Sequence, residues 1–109
     1  MAKRHFDLES FKRRMADKSV PALNYTQDGR SGTVHYSNDA DSLSFEWEFG
    51  GRHAVAIILI PEEQYWEAQT NTPLHMRQEI LVALGRRIAA DKVKNGTFSI
   101  DANSISIRV

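Results

Sequence analysis

Leu43, Phe45, Trp47 and Phe49 stand at every second position with serine or glutamate between them, so they can be buried together only on one face of a β-strand. The same period of two runs through Leu23 and Tyr25 and through Val34 and Tyr36. It resumes near the C-terminus in Phe98 and Ile100, then in Ile105, Ile107 and Val109. Between these runs lie "QDGRSG", "SNDADS" and the Gly50–Gly51 pair, rich in residues that tolerate turn angles. The pattern predicts a meander of four antiparallel strands closing with Ala54 to Ile60, and a second hairpin at the C-terminal end.

Elsewhere the period lengthens. Leu8, Phe11 and Met15 recur at helical spacing and predict a first helix from about Leu8 to Lys18, capped by Asp7 and stapled by Phe6 against Phe11. Pro61, Glu62 and Glu63 suit the start of a short helix that carries Tyr65 and Trp66. Thr72 can cap, and Pro73 open, a long helix through about Lys92, with Met76, Ile80, Leu81, Leu84 and Ile88 as its apolar stripe. The expected fold class is α+β: an antiparallel β-meander sheet with an N-terminal helix, a short and a long helix packed on one face, and a C-terminal β-hairpin. The stripe should cross the aromatic face of Phe45 and Trp47, with Gly85 allowing close approach of helix to sheet. The 109 residues fit one domain, large enough to bury roughly two thirds of the unfolded surface, and no repeat or linker divides them.

The returning strand is unusual in being apolar on both faces: Ala54, Ala56, Ile58 and Ile60 on one, Val55, Ile57 and Leu59 on the other. A two-residue loop at Gly50–Gly51 would set Glu48 opposite His53, a three-residue loop Phe49 opposite His53, and the apolar pattern accommodates both. Either way the face bearing Glu46 and Glu48 also bears apolar side chains. One layer of helices covers one face, so the other calls for a cover: the C-terminal hairpin, the N-terminal helix or a second copy. "SISIRV", read as a sheet edge guarded by Arg108 alone, adds to the expectation of a homodimer.

Composition narrows the chemistry. Without cysteine there are no disulfides, thiolate metal sites or cysteine nucleophiles, which favours a reducing, cytoplasmic setting. Fourteen basic and fourteen acidic residues cancel, so there is no overall pull on nucleic acid. The charged N-terminus has no signal-peptide core, and the longest apolar run, Ala54 to Ile60, is far short of a membrane span. The serines lack the glycine-flanked elbow of a hydrolase nucleophile, and the glycine clusters sit between strands instead of leading into a helix as phosphate loops do.

Candidate site residues are therefore few. With a two-residue loop after Phe49 and a four-residue loop from Asn38 to Asp41, His35, Glu46, Glu48 and His53 would share a sheet face. Two imidazoles and two carboxylates could ligate a divalent metal or trade a proton, but the spacing matches no ligand motif, and cross-strand pairing of Glu with His or with neighbouring basic residues, the preferred reading, explains the same residues. Tyr65 and Trp66 are adjacent in a two-turn helix and cannot both face the core, which makes one of them a candidate anchor for a partner. The element order is similar to that of small dimeric export chaperones, a likeness of order with no shared motif; this chain lacks their further C-terminal helix and their acidic charge. The reading favoured by these residues is a cytoplasmic, non-enzymatic binding or assembly module, self-associating, open to a protein partner and using no cofactor. The alternative is a small metal-dependent or acid–base enzyme built on the His/Glu cluster.

Overall fold

The computed structural model describes residues 6–51 and 54–109. Helix α1 (Leu8–Ala16) starts as expected: the Asp7 carboxylate accepts the Ser10 N–H at 3.0 Å and the Phe6 and Phe11 rings meet at 5.5 Å. It ends before Lys18, and carbonyls left free at its end are taken by the buried Arg87, whose guanidinium donates to Arg14, Met15, Asp17 and Val20.

Strands β1 (Asn24–Asp28), β2 (Ser31–Ser37), β3 (Ser42–Phe49) and β4 (Ala56–Leu59) form the meander, and β5 (Thr97–Ile100) with β6 (Ser104–Arg108) the second hairpin. They join in one antiparallel sheet of order β1-β2-β3-β4-β6-β5. Ser37 faces Ser42, so the loop from Asn38 to Asp41 has the four residues that a shared face for His35 and Glu46 supposed.

Two expectations about the sheet fail. β6 is no edge: it lies between β4 and β5, with Ile58 opposite Ile105 and Ala56 opposite Ile107. Nor does either tight loop follow β3. Glu48 faces Ile57 and Phe49 faces Ala56, and the last rung is the Gly50 N–H to the Val55 carbonyl at 3.0 Å. The longer loop has a packing reason. It sets Ile58 opposite Trp47, where a two-residue turn would have set Ala54, and so aligns Trp47, Ile58 and Ile105 on one dry face.

Helix α2 (Glu63–Thr70), a 3-10 turn (Leu74–Met76) and α3 (Arg77–Lys92) complete the chain order. Thr72 does not cap the long helix; it is buried and its hydroxyl donates to the Thr70 carbonyl at 3.0 Å, while Pro73 leads into the 3-10 turn. The long helix also packs elsewhere than expected. α3 lies across β5 and β6 and against α1, and Phe45 is covered instead by Trp66 of α2, stacked at 6.2 Å. Gly85 does permit a close approach, but to Phe98: a Cβ there would stand 2.6 Å from Phe98 Cδ2.

The helices share one core with the inner sheet face, where Val34, Tyr36, Leu43, Phe45, Ile58, Ile105 and Ile107 are buried. The outer face carries Thr33, His35, Ser44, Glu46, Glu48, Ser99, Ser104 and Ser106, with Ile57 and Leu59 among them. Among the described residues neither α1 nor the C-terminal hairpin covers it. α1 packs on α3, and the hairpin extends the sheet in its own plane. No helix among the described residues is long and apolar enough to cross a membrane.

Candidate functional site

β3 is eight residues long and β4 only four, and this mismatch opens a groove beside β3. β4 pairs with Trp47–Phe49 alone, so Ser42 to Glu46 lie outside that register and have their strand partner on β2. Beyond Leu59 the chain turns off: the Ile60 N–H donates to the Asn103 carbonyl at 3.0 Å, and Pro61, which has no N–H, cannot extend the ladder. The Phe49 N–H points to β2 (Arg30 carbonyl, 2.9 Å) and the Gly50 N–H to β4, so strand alternation turns the backbone groups of Ser42 and Ser44 away from β2, those of Ser44 into the groove.

The far wall is α2. It is held in place by Arg77, a buried side chain of α3 that donates from Nη2 to the Pro61 and Ala102 carbonyls at 2.9 Å and lies 5.6 Å from the centre of the Trp66 ring. Trp66 itself is 0% exposed. The Glu67 carboxylate accepts the Leu74 N–H at 2.9 Å and ties the 3-10 turn to the same helix. Between these walls lies a groove of about 400 Å³. Ser44, Phe45 and Glu46 line one side; Leu59, Ile60, Pro61, Glu62, Tyr65, Gln69, Thr70 and Asn103 line the rest. Among the described residues the lining contains two carboxylates and no lysine or arginine.

The residues singled out from the sequence divide. Tyr65 is 50% exposed and faces the groove, whereas Trp66 plugs the core. Glu46 lines the groove; Glu48 is on the same outer face, opposite Ile57. His35 faces Ser44 across the ladder, and its Nδ1 hydrogen-bonds the Ser44 hydroxyl. His53 lies outside the described residues, as does His5. Among the described residues no three histidine, aspartate or glutamate side chains converge as metal ligands. The His35–Ser44 pair has the first contact of a nucleophile and base, but no carboxylate of the described residues orients the imidazole from its other nitrogen.

The open edge of β3 escaped the sequence reading, which extended the returning strand through seven residues from Ala54 to Ile60. Pro61 was its one local signal, since an eight-residue alternating strand cannot be matched by a partner that ends there. No protein-family model, curated protein or solved structure matches this chain.

Proposed function

We propose that this protein is a non-enzymatic binding module that accepts an extended, positively charged peptide segment in the groove between β3 and α2. The observation that carries this reading is the edge of β3 at Ser42 and Ser44, unpaired among the described residues, with Ser44 opening onto a groove whose described lining holds Glu46 and Glu62 and no lysine or arginine. An added strand takes its affinity from main-chain hydrogen bonds to such an edge and its specificity from side chains around it. The two carboxylates select lysine or arginine, and the half-exposed Tyr65 supplies an aromatic anchor.

The test is calorimetric titration with a blocked peptide that alternates arginine and valine, its glutamate-for-arginine counterpart, and a version N-methylated at alternate residues. The basic peptide should bind, and the other two should bind at least about tenfold more weakly. Glu46→Gln combined with Glu62→Gln should abolish the charge preference and leave the N-methylation effect. Indifference to N-methylation would overturn the strand-addition reading.

A second reading, self-association, rests on a separate observation: Leu59 is 41% exposed and Ile57 half-buried on the uncovered outer face. The edge argument for it is gone, since β6 is internal. Light scattering at micromolar concentration tests it. A mass about twice 12.4 kDa supports a dimer, and a mass near 12.4 kDa removes it. Leu59→Asp should restore the monomer without unfolding it.

A further inference from the structure

A second cavity, of about 330 Å³, lies elsewhere on the inner sheet face, beside the last turns of α3. Three aromatic rings shape it. Trp47 is fixed by its indole N–H, which donates to the Thr26 carbonyl at 3.0 Å, and by Gly32, where a Cβ would stand 2.9 Å from Trp47 Cε2. Phe49 meets Trp47 edge-on at 5.3 Å, and Tyr25 closes the third side. Ala56, Ile58 and Ile88 supply apolar floor. Phe49 and Val55 at the rim are 42% and 37% exposed, so the described residues leave this aromatic surface open to water.

Several polar groups around the cavity are already engaged. The Thr26 hydroxyl accepts the Thr33 N–H, and the Gln27 amide donates to the Gly29 carbonyl. Asp91, the nearest carboxylate in sequence to Lys92, accepts from the Tyr25 hydroxyl at 2.8 Å and from Arg87 Nε at 2.9 Å. Lys92 is different. Its ammonium sits 3.9 Å from the centre of the Tyr25 ring, and no carboxylate of the described residues pairs with it. A second cation stands behind the rim, the Arg30 guanidinium 5.7 Å from the centre of the Phe49 ring. Among the described residues no carboxylate lines the cavity.

From this combination we infer that the cavity binds a small aromatic monocarboxylate, its ring system between Trp47, Phe49 and Tyr25 and its carboxylate on Lys92. The volume lies at the low end of small-ligand pockets. Flat rings satisfy the walls by stacking and edge contacts. A single negative charge meets an ammonium that already lies against a low-dielectric ring face, where an ion pair is screened less than in open water. The site is separate from the groove beside α2 and does not depend on the peptide reading.

The test compares 1-naphthoate with the neutral 1-naphthamide, using ¹⁵N-labelled protein at pH 7. Naphthoate should shift the Trp47 indole N–H and the amides of Tyr25, Phe49 and Val55 with a Kd below about 1 mM, and leave Ser44 and Tyr65 unmoved. Naphthamide should bind about tenfold more weakly. Lys92→Met, which keeps the stem on Tyr25 and removes the charge, should bring the two probes to equal affinity while its thermal unfolding stays near that of the wild type. Equal affinities in the wild type, or a preference that survives Lys92→Met, would overturn the proposal. So would broadening of the same resonances with protein concentration alone, which would assign the cavity to a second copy.

Discussion

Arg87 shows how much one side chain decides. It is 4% exposed, its guanidinium reaches four backbone carbonyls at and after the end of α1, and its Nε pairs with Asp91 at 2.9 Å. The planar fork matches several acceptors at once, which a lysine ammonium cannot do. Arg87→Met should cost about 3 kcal/mol in urea unfolding, since it strands buried carbonyls and a partly buried carboxylate, and Arg87→Lys should recover little of it. Tyr25, beside the same Asp91, is held well above the usual tyrosine range, first by burial and then by that hydrogen bond. A raised folded pKa means the folded state keeps the proton that the unfolded chain loses. The contribution is therefore complete below about pH 10 and is lost progressively as pH rises from there toward the folded value. Tyr25→Phe should cost about 1 kcal/mol at pH 7 and flatten the alkaline fall in Tm; unchanged slopes would refute this. Some slope should persist from Tyr36, which burial also raises.

At the level of elements, the contact between α3 and β5 sets two effects against each other. Replacing Gly85 by alanine favours the helix by about 1 kcal/mol. It also drives a Cβ to 2.6 Å from the Phe98 ring, and overpacking costs about 1–3 kcal/mol. Gly85→Ala should therefore be destabilising in the wild type and become stabilising in a Phe98→Leu background, a change of sign that equilibrium unfolding of the four variants would reveal. α1 depends on a cap more than on length, having nine residues. Asp7→Ala should cost about 1 kcal/mol; a loss below about 0.3 kcal/mol would mean that the Phe6–Phe11 contact alone holds the start.

Across the whole molecule, the sheet is a two-layer structure with helices on one side, and neighbouring residues of β4 report the difference. Ile58, 2% exposed beneath the helices, should cost about 3 kcal/mol when cut to alanine. Leu59→Ala, one residue on and facing the other way, should cost no more than about 0.5 kcal/mol in a monomer. A large loss at Leu59 would show that its face is covered in solution, and light scattering would then identify the cover.

What the sequence determined by itself is local: the alternation that makes the strands, the cap and staple of α1 and the α+β class. Each depends on side chains within a few positions of one another, so period and turn chemistry suffice. The presence of two aromatics in α2 facing different ways was legible for the same reason. What only the tertiary structure decided is relational: which apolar residue of β4 stands opposite Trp47, that β6 inserts between β4 and β5, that Trp66 rather than α3 covers Phe45, and that the first half of β3 is left with an open edge. A strand apolar on both faces satisfies several registers nearly equally. The choice among them was made by matching large side chains across strands and helices far apart in the chain, and the groove and the aromatic cavity exist only as consequences of that choice.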